Sequence, residues 1–366
     1  MPRIGIDYLP AVTHAPGVGR YARELVRALV REAECPELAL FEVGGGERVM
    51  DGAPLGLESR SLKRVRSRAP RRLVNWLDRV GFSGDRWLGG VDLFHRTRSE
   101  HPPVRTGLTL LPVFELPAEG TDADARMGQA VQRASDVLVF CAHYGQQVAR
   151  RYGVAQARIH HAPVGADHWV RDLGASSAAR SERPRLLVLG ALRDERKPLA
   201  VLAGFEALRA GGLDAELVYV GRPSSAAAEF EAALAKSPAH KFVRWIREPR
   251  ESDMPALVAG SAALVHLAQD EGTAVTPLEA CAMGLAVVAN RLPAFEEALG
   301  DEALWTDDTA AGLASALASG MASSEDADAR GRRLELAAKF TWSGNARKTL
   351  DVWQHMLNRG ERPPHR

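Results

Sequence analysis

The 366-residue sequence predicts an α/β protein built from two doubly wound, Rossmann-like domains. Three observations predict it. Short apolar strands alternate with amphipathic helical stretches along nearly the whole chain. Glycines close several strands, where a parallel sheet turns its ligand-facing edge into a helix. A polar stretch without periodicity, RDLGASSAARSERP at 171–184, separates two such series. At 46% hydrophobic residues, either half can build its own core.

Charge and cysteine usage narrow the class. The net charge of +1 provides no global field for nucleic acid or acidic surfaces. Cys35, Cys141 and Cys281 lie far apart in apolar contexts and lack metal-ligand spacing, so buried thiols in a reducing compartment are expected. The opening MPRIGIDYLP has no signal-peptide core, and no run approaches the roughly 18 apolar residues of a membrane span. A soluble cytoplasmic protein is the expectation.

In chain order, residues 3–7 read as a strand, followed by a loop with Pro10, Pro16, Gly17 and Gly19. A helix over 19–31 places Tyr21, Leu25, Val26 and Leu29 on one face. Gly17 and Gly19 fit a loop that brings backbone close to a ligand, and a tight turn explains them equally well. Strands over 38–43 and 91–94 bracket seven basic residues between Arg60 and Arg72, with no acidic one, before Leu73, Val74, Trp76 and Leu77. A basic helix with an apolar face lies on an anionic bilayer, which would give peripheral membrane contact over 60–77. A solvated helix has the same composition. A strand from Thr109, a helix over 122–134, a strand over 136–141 and a helix over 144–152 complete this half.

The second half opens at Arg185 with LLVLG, a continuous apolar strand of the buried parallel type, closed by Gly190. Arg196 and Lys197 precede a helix over 199–209. Together they suit a diphosphate, Arg binding two oxygens and Lys supplying a point charge; a solvated basic pair is the plainer alternative. Strands at Glu216–Val220 and 241–246, a helix over 225–236 and a helix start at Ser252 continue the alternation. The apolar run 262–267 ends at Asp270-Glu271-Gly272. Thr276-Pro277-Leu278-Glu279 then reads as a helix start, with Thr276 as N-cap, Pro277 at the first helical position and Glu279 as the reach-back partner. Glu271 and Glu279 therefore flank a loop whose amides (Gly272, Thr273, Ala274, Val275) point toward a helix N-terminus. Phosphates suit those amides and the dipole, and hydroxyls suit the carboxylates. A capping-box arm and a loop carboxylate would leave the same letters. A last helix, 342–357, carries Ala346, Leu350, Trp353 and Met356 at helical spacing.

Glu271 and Glu279, seven residues between them, with Gly272 after the first and Leu278-Glu279-Ala280 at the second, resemble the signature of retaining nucleotide-sugar glycosyltransferases of family 4. GVGRYARELVRAL from Gly17, HHAPVGAD from His160, Gly190 followed by Arg196-Lys197, and Pro293, Phe295 and Glu296 occur in that family's order. The resemblance implies a GT-B fold: two facing Rossmann-like domains with an interdomain cleft. It divides the chain into an acceptor-side domain (1–170), a linker (171–184), a nucleotide-sugar domain (185–340) and a C-terminal helix (341–366) returning to the first domain. It further implies transfer of a hexose, with retention, from a nucleotide-diphosphate sugar (UDP- or GDP-sugar) to a hydroxyl on a saccharide or lipid-linked acceptor. Bacterial polysaccharide, lipopolysaccharide or glycolipid synthesis is the implied setting.

By the same resemblance, Glu271, Arg196 and Lys197 are catalytic. Gly17, Gly19, Gly190, Gly272, Thr273, Ala274, Val275 and Glu279 bind the donor, Glu279 through the ribose. Trp245, Ile246 and Arg247 border the base. No metal or other cofactor is implied, and the sequence has no Asp-x-Asp motif. Three departures stand out. Leu111-Pro112 occupies the place of the family's His-Asp pair, Ala191 that of an Arg found in some members, and Arg247 that of a frequent Gly. His95 and His101 are the histidines nearest in sequence to replace the missing one. Leu111-Pro112 keeps open a degenerate GT-B protein that binds nucleotide sugar or glycan without turnover. A GT-B epimerase or donor hydrolase is a third option, for which the first domain offers no evident set of carboxylates and histidines.

Overall fold

The computed structural model describes residues 2–13, 17–45, 62–70, 76, 88–98, 107–174 and 181–360. The chain divides into two compact units, Met1–Val164 together with Trp342–Arg366, and Gly165–Thr341.

In the first unit, strands β1 (Arg3–Asp7), β2 (Glu37–Gly45), β3 (Leu62–Pro70), β4 (Leu93–His95), β5 (Leu108–Pro112), β6 (Asp136–Val139) and β7 (Ile159–His161) form one sheet. Its order is β3-β2-β1-β4-β5-β6-β7, and every pairing is parallel. The winding reverses at β1, which opens a crevice beyond the C-terminal ends of β1 and β4. Helix α1 (Val18–Leu29) buries the predicted face, Tyr21, Leu25, Val26 and Leu29. The C-terminal helix (Trp342–Arg359) belongs to this unit. Asn345 Nδ2 donates to the Ala162 and Pro163 carbonyls, and Ser343 donates to Glu32.

The basic segment departs from expectation. Leu62–Pro70 is not a helix but the edge strand β3, paired along its length with β2. Arg64 and Arg66, two apart and so on one strand face, both bind Glu42 of β2. Pairing with a carboxylate on the neighbouring strand overrides the local composition, and charged side chains are a common guard on an open sheet edge. The bilayer argument built on an amphipathic helix therefore does not apply to these residues. Of the apolar residues that follow, Trp76 is exposed, and Leu73, Val74 and Leu77 lie outside the described residues. The boundary also moves: Val164 closes the first unit, and residues 171–173 of the expected linker belong to the helix His168–Leu173 of the second.

The second unit is a parallel sheet of β8 (Arg185–Leu189), β9 (Glu216–Val220), β10 (Val243–Ile246), β11 (Ala263–His266), β12 (Ala286–Asn290) and β13 (Ala303–Thr306), in the order β10-β9-β8-β11-β12-β13. Period-two alternation splits its core in two. Leu187, Val218, Leu264 and Val287 pack on one face; Leu186, Leu217, Val265 and Val288 pack on the other. Each is essentially inaccessible, worth about 1.5–3 kcal/mol per side chain. Helix α2 (Pro198–Ala210) lies beside a helix over Ala310–Ser323. Gly204 permits the approach, since a Cβ there would sit 2.4 Å from that of Leu313. This sheet reverses at β8, so its crevice lies beyond the ends of β8 and β11, at Gly190 and His266.

Candidate functional site

The charged residues of the second unit gather at that reversal. Beyond β8, Gly190 takes φ +125°, and a Cβ there would meet nothing within 4 Å, so bare backbone faces the crevice. A short 3-10 turn, Asp194–Arg196, follows, and Lys197 caps α2 in the left-handed region with Pro198 at the first helical position. The two basic side chains diverge. Arg196 Nη1 donates to Glu271 Oε2 at 2.6 Å, while Lys197 Nζ binds the Asp308 carboxylate. Lys197 and Asp308 are the only non-glycine residues with positive φ among the described residues. Such backbone costs on the order of 1 kcal/mol or more and persists where its surroundings fix it.

Glu271 follows β11 and is 7% exposed. His266, the last residue of that strand, places Nε2 3.0 Å from the same Oε2 and beside Arg196 Nη1. Burial pushes the Glu271 carboxyl up, but the hydrogen bonds from His266 and Arg196 and the Arg196 charge outweigh it and hold it below the ordinary carboxylate range. Burial, then the neighbouring Arg196 charge, pushes the His266 imidazole down, so it is neutral at physiological pH. Nε2 faces two groups: protonated, it donates to Glu271 Oε2 at 3.0 Å; bare, it accepts from Arg196 Nη1 at 2.5 Å, and one tautomer makes only one of these bonds. Glu271 Oε1 has no partner among the described residues.

Helix α3 (Val275–Ala282) begins one residue before Thr276, which corrects the predicted cap. Its N-cap is Ala274, without a side-chain hydrogen bond. Pro277 is tolerated because the first turn has no intrahelical use for its missing N–H. The amides of Gly272, Thr273, Ala274 and Val275 donate to no atom among the described residues. Glu279 does not reach back to the cap. It is wholly buried, with Oε1 3.5 Å from His168 Nε2. At the far end of the sheet, Trp245 and Ile246 end β10. The Trp245 indole N–H donates to the Gly221 carbonyl at 2.8 Å, and the Arg247 guanidinium stacks on its ring at 4.3 Å while pairing with Glu231. Ile246 accepts from the Gly221 amide. Three strand spacings put this group about 14 Å along the sheet from β11.

The structure thus brings Arg196, Glu271 and His266 into one cluster. Gly190, Lys197 and the free amides border the same sheet edge, with Glu279 on the buried side of α3 and Trp245, Ile246 and Arg247 at the end of β10. Sequence reading missed His266, His168 and Asp308. His266 closes an apolar strand like any core residue, and its partner Arg196 is 70 positions away. Gly17, at φ +73°, caps α1 in the first unit, and Gly19 is buried in its first turn. There Leu111 and Pro112 are buried strand residues of β5. His95 does not replace the missing histidine: it is fully buried, with Trp353 Nε1–H donating to Nδ1 at 3.2 Å and Tyr21 Oη 3.1 Å from Nε2. Burial pushes it down to about 3. His101 lies outside the described residues. Among the described residues, no group of three or more His, Cys, Asp or Glu side chains is placed to hold a metal ion.

Two reversing parallel sheets of seven and six strands define the fold as GT-B. Residues 183–322, within the second unit, match the protein-family model described as "Glycosyl transferases group 1". Three solved structures agree on the fold across both chains. Sucrose-phosphate synthase from Thermosynechococcus elongatus superimposes with a TM-score of 0.72 at 16% identity, covering 98% of this chain and 100% of that one. An alpha,alpha-trehalose-phosphate synthase (UDP-forming) from Burkholderia vietnamiensis gives 0.67 at 14%, covering 98% and 99%. Anabaena HepE, in complex with UDP, gives 0.66 at 12%, covering 97% and 100%. No curated protein matches the chain.

Proposed function

We propose that this chain is a retaining, metal-independent glycosyltransferase that moves a hexose from a nucleotide-diphosphate sugar to a hydroxyl of a saccharide or lipid-linked acceptor. One observation carries the reading. At the reversal of the second sheet, an ionised Glu271 with a free Oε1 stands beside Arg196 and a row of unused amides at the start of α3. Anion donors and a hydroxyl acceptor a few ångströms apart suit a sugar esterified to a diphosphate. The family match of this unit and the UDP named with one structural neighbour support a nucleotide-sugar donor, UDP-sugar before GDP-sugar.

In this reading the diphosphate lies on the amides of Gly272 to Val275, on the Arg196 nitrogens not used by Glu271, and on Lys197 once it leaves Asp308. Glu279 takes the ribose, Trp245 and Ile246 border the base, and Glu271 Oε1 accepts from the sugar hydroxyls. The C1–phosphate bond breaks while the acceptor oxygen bonds C1 from the same face, and the acceptor proton passes to the departing phosphate oxygen. The basic groups lower the barrier by stabilising that leaving diphosphate.

Calorimetry with UDP-, GDP-, ADP- and dTDP-sugars against wild type and Glu279→Gln tests the site. One donor should bind, and the variant should lose about tenfold or more in affinity, the worth of a charged hydrogen bond. No binding by any donor, or equal binding by the variant, rejects the assignment. Leu111-Pro112 and Ala191 support a second reading, donor binding without turnover. Product analysis by NMR separates the two: an acceptor glycoside retaining the donor's anomeric configuration supports transfer, and bound donor with no product under a broad acceptor panel supports the binding protein.

A further inference from the structure

His266 has no role in the reading above, yet it is the residue on which the cluster closes. It ends β11, whose other residues, Ala263, Leu264 and Val265, are apolar and buried, so a polar ring there must be satisfied by what the fold brings to it. The charged groups facing it are Arg196, from the turn before α2, and Glu271, from the loop before α3. On the β12 side Ala289 lies opposite in register, and Asn290 is occupied in clamping the Ala268 backbone. From the helix Pro293–Leu299, Phe295 sets its ring against the imidazole at 5.5 Å and 61°. The ring is thus set against an aromatic wall, and its polar atom Nε2 is turned to Glu271 Oε2 and Arg196 Nη1.

We propose that His266 is a positioning residue for the transfer reaction: as a neutral imidazole it joins Arg196 in clamping Glu271 Oε2, so that Oε1 alone is presented to the donor sugar. The inference rests on the function proposed for this site. Two donors on one oxygen fix both the rotation and the ionisation of the carboxylate. Arg196 alone would leave Glu271 free to pivot or to chelate the guanidinium with both oxygens, which would withdraw Oε1 from the sugar and Arg196 from the diphosphate. Protonation of His266 sets a second cation against Arg196, which pushes the guanidinium off Glu271 and opens the clamp. Turnover therefore falls on the acid side of the ordinary imidazole range, while a variant with no proton to gain does not show the fall.

The test compares wild type, His266→Leu and His266→Gln, the last keeping an N–H near the Nε2 position. Donor turnover, as transfer or donor hydrolysis, is followed against pH, and donor-nucleotide affinity is measured by calorimetry. His266→Leu should lower kcat by about 10- to 100-fold, the scale of a misplaced reacting group, with nucleotide Kd changed by less than about threefold. His266→Gln should recover most of that loss and show no acid limb where the wild type has one. The proposal is overturned if His266→Leu turns over like wild type, if kcat and nucleotide affinity fall together, or if the acid limb survives in the glutamine variant. A wild type that binds donor without turnover defeats the enzyme reading instead. In that case 15N NMR of the histidine rings still judges the clamp: a neutral His266 protonated on Nε2, changed by Glu271→Gln, upholds it, and an Nδ1–H tautomer overturns it.

Discussion

His95 and His266 occupy the same place in two sheets. Each ends the strand that pairs with the first strand of its unit on the side where the winding reverses, β4 beside β1 and β11 beside β8. Both are buried and both are held neutral. They differ in what meets the ring. His95 spends Nδ1 on the Trp353 indole and Nε2 on the Tyr21 hydroxyl, both uncharged, and nothing is left to offer a ligand. His266 spends Nε2 within a charged pair whose outer valences, Glu271 Oε1 and the remaining Arg196 nitrogens, are unused. Burial makes an imidazole neutral in either place; a site arises only where its partners carry charge and have bonding capacity left over. At the end of β4 the ring is met by aromatic side chains, at the end of β11 by charge.

The strongest way to break this contrast is to remove the charge. Glu271→Ala should cost about 10²–10³-fold in kcat, as loss of a group that acts on developing charge typically does, with nucleotide affinity much less affected. A purified variant with an undiminished rate would show that the cluster is structural in the manner of His95.

Acid should separate the two units by stability. His95 titrates near 3 in the fold against about 6.5 in an unfolded chain. Its depressed value means that the unfolded state takes up the proton first. Stability is intact well above pH 6.5 and is lost as pH falls toward 3, by ~2 kcal/mol between pH 6.5 and 4.5 from this group alone. His266 shifts in the same direction, whereas Glu271, a depressed carboxyl, contributes only once pH falls below about 4.5. Denaturation midpoints at pH 7, 6 and 5 should therefore fall steadily in wild type. In His95→Gln the slope should be much shallower, although stability at pH 7 is lower because Trp353 and Tyr21 are less well met. An equal slope in the variant would mean that His95 is not the buried neutral group described.

What the sequence revealed and what it hid follow the same division between local and distant. Apolar runs such as Leu186 to Leu189 and Val287 to Ala289 are strands because period two buries both faces, and that pattern is written in consecutive letters. The spacing of Glu271 and Glu279, and Gly190 before Arg196, are equally local. Thr276 was misplaced as a cap because Pro277 is acceptable anywhere in a first helical turn and so cannot fix its start. Leu62–Pro70 looked helical because its partner Glu42 lies some twenty residues upstream on another strand. His266 and Asp308 were invisible for the same reason at greater range: they meet Arg196 and Lys197 across 70 and 111 residues, through the adjacency of whole elements.

The smallest expected effect concerns that last pair. Asp308 holds Lys197, both on left-handed backbone, and a donor diphosphate would compete for the same ammonium. The pair is only partly buried, with about a quarter of each side chain exposed, so solvent screens it and the pairing contributes about 1 kcal/mol at most. Asp308→Asn removes the competing charge while keeping the shape. Nucleotide-diphosphate affinity should rise about two- to fivefold at low salt, and the gain should shrink as added salt screens the carboxylate in wild type. A loss of affinity instead would place Asp308 on the ligand's side, accepting from a donor hydroxyl rather than competing with its phosphates. Lys197 would then reach the diphosphate without leaving its partner, and the second crevice would hold two carboxylates turned toward the sugar.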